Sequence, residues 1–322
     1  MDTHSFIAFF SGLGLFLFGM MLLEKGIKSL SSESFRLFLR KTTSNPVSAL
    51  VGGTLTTMVV QSSSMVGLMM MAFVGAGVIP LANGVGVVLG ANLGTTFTGW
   101  VVTTLGFKLK LFEYAMPLMG LGALWIVILN NQPRWKAWGN LILGLGLLLF
   151  GLDAMKTSME QVAASFDIQM LQGYPAIVYL LVGVAFTAVI QSSSAAMIIT
   201  LSALSAGIVD LPSAAALVIG ADLGTTSTLA LGGIGASAIK KQLALAHVLI
   251  NVVTAVQAFV LLGFYLSLVE GVLGADDPLY SLVAFHSLFN LIGIVLFLPV
   301  VKPFSRFLEN ALKGAQKVLT LT

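Results

Sequence analysis

The chain alternates long apolar segments with short polar connections, a pattern that predicts membrane-crossing helices. A helix needs about 20 mostly apolar residues to cross a hydrocarbon core of roughly 30 Å. The segments that predict uninterrupted helices are 6–23, 112–129, 138–152, 243–269 and 279–300. Segments 81–105 and 211–232 are also apolar, but glycines and threonines interrupt them. We therefore expect these two helices to be broken, with backbone that unwinds near mid-membrane.

Two further apolar segments, 46–77 and 175–207, carry four consecutive polar residues near their centres. The tetrads are Gln61, Ser62, Ser63 and Ser64, and Gln191, Ser192, Ser193 and Ser194. As helices, the flanking pieces 46–60 and 63–77 would each span only about 22 Å, which is too short to cross the membrane. Each segment is therefore predicted to be a re-entrant helical hairpin with its tip inside the membrane.

Two motifs recur at one shared spacing, which indicates an internal duplication. The tetrads lie 130 residues apart (191 − 61), and Gly-Ala-Asn-Leu-Gly-Thr-Thr at 90–96 returns as Gly-Ala-Asp-Leu-Gly-Thr-Thr at 220–226. We divide the chain into unit one (1–136), unit two (137–270) and a C-terminal region (271–322). The last region holds an extra transmembrane helix and a basic amphipathic tail, which we expect at the membrane surface. The predicted fold is thus an all-α membrane protein of two repeats, each with a re-entrant hairpin and a broken helix.

The number of crossings and the positive charges predict how the units are oriented. Each unit has three crossings and a hairpin that returns to its own side, so unit two should be inverted relative to unit one. With the N-terminus outside and the C-terminus in the cytoplasm, only three of the 16 Lys and Arg residues lie outside, as the positive-inside rule requires. Those three are Lys108, Lys110 and Lys156. This topology has seven crossings, and the two tips should meet near the midplane.

Composition narrows the functional classes. With 57% hydrophobic and 9% charged residues, the chain is expected to be a multi-pass protein of the plasma membrane, which in bacteria is the inner membrane. The absence of cysteine excludes disulfides and thiolate metal sites. The net charge of +3 gives no indication of a nucleic-acid partner. Segment 6–23 lacks the flanks of a cleaved signal peptide, so we interpret it as a mature helix.

The hairpin tips have the chemistry of an anion site. Serine is a favoured N-cap, and the first N–H groups of a helix have no partner within it. Two helix N-termini, six serine hydroxyls and two glutamine amides would therefore present hydrogen-bond donors to one volume. Such a set suits a small oxyanion held without Lys or Arg. The alternative is that the serines only cap a kink, which is less probable for two facing copies than for one.

The interrupted helices suggest oxygen ligands for a hard cation such as Na⁺. The candidate residues are Asn92, Thr95, Thr96, Asp222, Thr225 and Thr226. Asp222 replaces Asn92 at the equivalent position and is a carboxylate at membrane depth, a functional candidate by default. Two alternatives stay open: the glycines form a stripe for close helix packing, and Asp222 has a structural role.

Two His-x3-Asn pairs, His247 with Asn251 and His286 with Asn290, predict hydrogen bonds between helices, since residues four apart share a helix face. Their spacing does not suggest a metal site. An intramembrane serine hydrolase with one of these histidines as base is a remote alternative, because no Gly-x-Ser-x-Gly motif is present. A channel would need a continuous pore, which two dead-end hairpins do not provide.

The paired tetrads, each followed by Gly-Ala-Asn/Asp-Leu-Gly-Thr-Thr, resemble the type II sodium–phosphate cotransporter family over nearly the whole chain to about residue 300. The resemblance implies a transporter, not an enzyme, in which the tips bind phosphate and the segments around Asn92 and Asp222 help bind Na⁺. It implies Na⁺ as coupling ion, no cofactor, and alternating access. Export, or another oxyanion such as sulfate, is an open alternative, as are a homodimer and a C-terminal soluble domain.

Overall fold

The computed structural model describes residues 3–108, 111–165, 173–273 and 277–319, and within these ranges the regular structure is entirely helical. Five helical spans are long and apolar enough to cross a membrane: Leu81–Phe107, Pro133–Met155, Leu211–Gly232, Ala238–Val260 and Pro278–Ala311. These findings confirm an all-α membrane protein. Two of the seven expected crossings have shorter apolar helices, Ile7–Leu23 and Ala115–Ile128. The seven-crossing topology and the inversion of unit two stay predictions.

Unit one begins with a long helix and contains the first hairpin. Its helices are α1 (Thr3–Thr42), α2 (Pro46–Val60), α3 (Ser63–Gly75), α4 (Leu81–Val101) and α5 (Ala115–Ile128). A π-helical segment, Val102–Lys108, extends α4, and a 3-10 turn, Leu111–Tyr114, precedes α5. Helix α1 extends well beyond the predicted 6–23, because apolar patterning detects only the part of a helix that faces hydrocarbon.

Unit two and the C-terminal region repeat this order and then add helices. They comprise α6 (Pro133–Ser165), α7 (Ala176–Ile190), α8 (Ser193–Ser205), α9 (Leu211–Gly232), α10 (Ala238–Val260), α11 (Leu262–Leu273), α12 (Pro278–Phe297) and α13 (Val301–Leu319). The helix predicted over 243–269 is divided at Leu261, between α10 and α11. The predicted tail is helical as α13, and its place at the membrane surface stays a prediction.

Each predicted hairpin is a pair of helices joined by a turn, α2 and α3 in unit one and α7 and α8 in unit two, and its re-entry into the membrane stays a prediction. The first helix of each hairpin ends at a glutamine in the left-handed region, Gln61 at φ 57° and Gln191 at φ 54°. Among the described non-glycine residues, only these two have positive φ. That conformation is uncommon outside glycine, and here it turns the chain sharply into the second helix.

The prediction that α4 and α9 are broken is wrong, because both helices continue through their Gly-Ala-Asn/Asp-Leu-Gly-Thr-Thr motifs. The threonine hydroxyls bond back to their own helix: Thr95 donates to the Ala91 carbonyl at 3.0 Å and Thr225 to the Ala221 carbonyl at 3.0 Å. A threonine that satisfies its hydroxyl in this way remains inside a helix. The glycines that suggested unwinding have a packing role instead.

Those glycines let each hairpin lie directly against the backbone of a long helix. A Cβ atom built on Gly94 of α4 would lie 2.6 Å from the Thr54 carbonyl oxygen of α2. In unit two, a Cβ on Gly224 of α9 would lie 2.6 Å from the Val184 carbonyl oxygen of α7. A Cβ on Gly90 would lie 2.0 Å from the Leu50 carbonyl oxygen, and one on Gly220 would lie 2.1 Å from the Leu180 carbonyl oxygen. This close approach confirms the packing alternative for the small-residue stripe.

A second glycine-mediated contact joins the two units. Helices α1 and α6 pack along each other through Gly12 and Gly19 on one side and Gly144 and Gly151 on the other. A Cβ on Gly19 would lie 2.7 Å from the Gly144 carbonyl oxygen, and a Cβ on Gly144 would lie 2.7 Å from the Gly19 carbonyl oxygen. The leading helices of the two units therefore form one pair, beside which the hairpins and long helices are arranged.

We expect Gly90→Ala to destabilise the protein by about 1–3 kcal/mol, because the added methyl group would overlap the Leu50 carbonyl oxygen of α2. The matched control is Gly120→Ala in α5, where an added Cβ meets nothing within 4 Å. Alanine should stabilise that helix by about 0.5–1 kcal/mol. Thermal unfolding in detergent, followed by tryptophan fluorescence, measures both changes. Equal midpoints for the two variants would contradict the close approach of α2 and α4.

Candidate functional site

Each hairpin tip uses its first serine as a helix cap. The Ser62 hydroxyl accepts a hydrogen bond from the Met65 N–H at 3.3 Å, and the Ser192 hydroxyl accepts one from the Ala195 N–H at 3.2 Å. Both serines have the extended backbone of an N-cap residue. This confirms the predicted local structure, in which the second helix of each hairpin starts in the serines and its N-terminus lies at the tip.

The hydroxyls of the serines that follow the caps differ in their hydrogen bonding. The side chains of Ser63, Ser193 and Ser194 make no hydrogen bond to another group within the described part of the chain, although Ser193 is only 6% exposed and Ser194 only 7%. Nearly buried hydroxyls normally find a partner. The first serine of each tetrad is thus used for capping, whereas these later hydroxyls remain available to a ligand beside a helix N-terminus.

The glutamines of the two tips have different contacts. The Thr98 hydroxyl donates to Gln61 Oε1 at 2.6 Å, and Gln61 Nε2 donates to the Met58 carbonyl. The equivalent residues of unit two, Gln191 and Thr228, show no such bond in the described structure, and Gln191 is exposed. The tip of hairpin 1 is therefore tied to α4, and the tip of hairpin 2 is not tied to α9 in this way.

Contacts between the units join each hairpin to the long helix of the other unit. The Ser64 hydroxyl of α3 lies 3.4 Å from the Thr228 hydroxyl of α9. Helix α3 contacts α9, and α8 contacts α4, so the second helix of each hairpin packs on the long helix of the other unit. Gly67 accommodates Leu229 at one of these contacts, and Gly99 accommodates Met197 at the other. Each hairpin is thus joined to the long helix of the other unit, and Ser64 at the first tip lies beside Thr228 of α9.

Asp222 of α9 is held by two residues of α12. Each of the two carboxylate oxygens lies 3.1 Å from His286 Nε2. Asn290 Nδ2 donates to Oδ2 at 2.8 Å. The His286 side chain is 2% exposed and that of Asp222 is 11% exposed. A charged carboxylate at this depth therefore has donors for both oxygens, as a buried charge requires. A carboxylate has about four lone-pair positions, so these donors do not use its whole acceptor capacity.

Asn92 of α4 has an equivalent but uncharged partner. Its Nδ2 donates to Asn251 Oδ1 of α10 at 3.2 Å, and Asn251 Nδ2 donates to the His247 carbonyl at 2.9 Å. The hydrogen bonds between helices that were predicted for the two His-x3-Asn pairs are therefore confirmed for both asparagines. Sequence analysis did not identify Asn92 as the partner of Asn251, which lies 159 residues away. Nor did it identify Asp222 as the partner of His286, 64 residues away, because contacts over such separations depend on the tertiary packing.

The four threonines predicted to bind a cation all lie at buried positions of α4 and α9. Thr96 donates to the Leu93 carbonyl at 2.8 Å and Thr226 to the Leu223 carbonyl at 2.7 Å, while Thr95 and Thr225 make the bonds described above. Because the helices are continuous, their carbonyls are engaged in the helix and are not freed by unwinding. The hydroxyl oxygens can still accept a ligand, and the sodium site stays a prediction.

A model of the family described as Na⁺/Pi-cotransporter matches residues 15–157 and 169–271, which include both tetrads, α4 and α9. No solved structure matches the chain.

Curated relatives match along nearly the entire chain. "Uncharacterized protein YqeW" of Bacillus subtilis is 28% identical over 306 residues, covering 94% of this chain and 97% of that protein. "Putative inorganic phosphate export protein YjbB" of Escherichia coli K12 is 26% identical over 314 residues, and its namesake in Salmonella typhimurium is 25% identical. This chain spans 56% of the length of those two relatives.

Asn290→Ala should destabilise the protein more than Asn251→Ala. Both asparagines are buried, 4% and 3% exposed, so the packing lost is similar. Loss of a hydrogen bond to a charged group costs about 1.5–3 kcal/mol, against about 0.5–1.5 kcal/mol for a neutral one. Thermal unfolding in detergent compares the two variants. A larger effect for Asn251→Ala would contradict a stronger hydrogen bond at Asp222 than at Asn92.

Proposed function

The chain belongs to the Na⁺/Pi-cotransporter family, a family of transporters and not of enzymes, and from this premise we propose that it is a sodium-coupled secondary transporter of inorganic phosphate. In this proposal, one phosphate binds between the two hairpin tips and is exposed alternately to the two sides of the membrane. The observation that carries it is the pair of tips with capped helix N-termini and unpartnered serine hydroxyls. That donor set suits an oxyanion, which accepts hydrogen bonds and is stabilised at helix N-termini.

In each tip one serine caps a helix and at least one other keeps a hydroxyl for a ligand, which supports a shared ligand. Ser62 and Ser192 stabilise the two tips, while Ser63, Ser193 and Ser194 keep hydroxyls without a partner among the described residues. Asp222, the carboxylate held by α12, would repel an anion at close range, and a bound Na⁺ would offset that repulsion. We therefore assign phosphate to Gln61, Ser62, Ser63, Ser64, Gln191, Ser192, Ser193 and Ser194. Sodium is assigned to Asn92, Thr95, Thr96, Asp222, Thr225 and Thr226.

Export is a second candidate, favoured by the printed name of the Escherichia coli and Salmonella relatives. Membrane energetics separate the two directions. Moving one charge across about 100 mV is worth roughly 2.3 kcal/mol, so a divalent phosphate leaves a negative interior with about 4.6 kcal/mol in its favour. Import against that field needs more than two Na⁺, or a Na⁺ concentration gradient. Outward transport would need no coupling ion, whereas inward accumulation requires one.

Transport by the purified protein in proteoliposomes tests the function. Labelled phosphate is supplied with and without a Na⁺ gradient, at a membrane potential set by a K⁺ gradient with valinomycin, and with sulfate as competitor. The proposal expects Na⁺-dependent phosphate uptake that excess sulfate does not inhibit. Efflux driven by potential alone would indicate export, and sulfate competition would indicate a broader oxyanion site. No transport of phosphate in either direction would refute the function.

Ser63→Ala and Ser193→Ala should each raise the phosphate concentration for half-maximal transport by about ten- to a hundredfold. The basis is a loss of roughly 1.5–3 kcal/mol for each donor to a charged ligand. Because both hydroxyls would contact one ion, their effects should be coupled in a double-mutant cycle. Ser202→Ala is the matched control, since this buried hydroxyl of α8 donates to the Ile198 carbonyl of its own helix. Strict additivity, or an effect from one hairpin alone, would mean that the tips do not share a ligand.

Asp222→Asn should raise the Na⁺ concentration for half-maximal transport by about tenfold, which corresponds to roughly 1.4 kcal/mol of lost binding, and should change phosphate selectivity less. The charge is removed while the side-chain shape is kept. Asp210→Asn is the control on the same helix, because Asp210 is an exposed N-cap whose carboxylate accepts from the Ser213 N–H, and asparagine caps equally well. An unchanged Na⁺ activation curve in Asp222→Asn would leave the residue a structural role.

A further inference from the structure

An apolar cavity of about 650 Å³ lies beside the tip of hairpin 1, between α1, α4 with its π-helical extension, α5 and α6. Its walls have a regular origin. Four positions from Tyr114 to Leu121 and four leucines from Leu145 to Leu152 line it, each set at the i, i+3, i+4, i+7 spacing of one helix face. The volume falls within the range of roughly 300–1,000 Å³ that ligand pockets occupy.

The internal duplication shows that this space is specific to unit one. At the shared spacing of 130 residues, α5 corresponds to residues 245–258, which lie within α10. Helix α10 packs along α9, whereas α5 packs on α6, with the cavity between α5 and α4. Unit two therefore has a helix–helix contact where unit one has a cavity. The space is not a necessary consequence of the repeated fold.

The backbone beside the cavity is also unusual. Val102–Lys108 is π-helical, and Val102, Leu105 and Gly106 of this segment line the cavity. π-Helical turns are rare and are found frequently at functional sites. The Leu152 side chain occupies the space next to Gly106, where a Cβ would overlap it. The wider helix thus forms part of the cavity wall, whereas the equivalent residues 232–238 of unit two are the end of α9, a turn and the start of α10.

Polar groups identify the two ends. Gln61 and Thr98 line one end, where Thr98 donates to Gln61 Oε1 and Gln61 Nε2 donates one of its two N–H groups to the Met58 carbonyl. Tyr114 lines the other end, is 60% exposed, and precedes α5 at the connection with α4. Tyrosine at a helix end is typical of the membrane–water interface. The cavity therefore extends from headgroup level to the hairpin tip, and among the described residues its inner end offers one spare amide N–H of Gln61, too few polar groups to hold a headgroup.

We propose that this cavity binds one hydrocarbon chain of a bilayer phospholipid, with the chain's methyl end toward Gln61 and Thr98 and the headgroup near Tyr114. The chain replaces the packing that α10 provides in unit two. It also keeps water away from the hydrogen bond that ties the tip of hairpin 1 to α4. The proposal concerns binding by the folded protein and holds whether or not the protein transports phosphate.

Photo-crosslinking of the complete wild-type protein tests this proposal without any variant. The protein is reconstituted into vesicles of phosphatidylethanolamine and phosphatidylglycerol that contain a trace of a phospholipid with a diazirine near the end of one acyl chain. Labelled peptides are then mapped by mass spectrometry. We expect label at cavity residues such as Leu118, Val101 and Leu148, in excess over the exposed outer face of α5 at Val127 and Ile128. Equal labelling of the cavity and that outer face would mean ordinary contact with surrounding lipid and would overturn the proposal.

A matched pair of variants tests the location. Leu121 and Leu124 lie on the same helix and are 61% and 60% exposed, but only Leu121 lines the cavity. Leu121→Trp should abolish most labelling of Val101 and Leu148, whereas Leu124→Trp should leave it at the wild-type level. Equal thermal unfolding midpoints confirm that both variants are folded. Unchanged cavity labelling in Leu121→Trp, or equal losses in both variants, would refute a chain bound between α4 and α5.

Discussion

The structure depends on the close backbone approach between the first helix of each hairpin and the long helix of the same unit. Gly94 faces the Thr54 carbonyl and Gly224 faces the Val184 carbonyl, at distances that a side chain would not permit. Such contacts are stabilised by dispersion forces along the whole length of the helix pair. They fix the position of each hairpin along its long helix, and therefore where the left-handed glutamine and the capping serine lie. The chemistry of the tips follows from this glycine packing.

The hairpins could be predicted from sequence because their evidence is local. A polar tetrad between two pieces too short to cross the membrane requires a turn at that depth, and Ser62 requires only its own helix to act as a cap. The broken helices were predicted wrongly because glycine and threonine have two interpretations. Gly90 packs against a neighbouring backbone, and Thr95 bonds to its own helix, so the residues that suggested unwinding are satisfied inside a continuous helix.

The partners of the two long helices could not be predicted for a different reason. Sequence analysis identified the His-x3-Asn pairs and the exchange of Asn92 for Asp222, but it could not place them against each other. Their contacts join α4 to α10 and α9 to α12, and many arrangements of amphipathic helices have the same local pattern. Helix lengths were also underestimated outside the membrane, since α1 and α6 continue as polar helices where hydropathy no longer identifies them.

The duplication makes each unit an internal reference for the other. Both have the same hairpin, cap and glycine contact, so their differences are not imposed by the fold. Helix α9 is held by a carboxylate with charge-assisted hydrogen bonds and by α10, which packs along it. Helix α4 is held by a neutral amide pair and borders an apolar cavity. Hydrogen bonds to a charged group contribute more than neutral ones, so breaking the polar contacts of α9 costs more free energy than breaking those of α4.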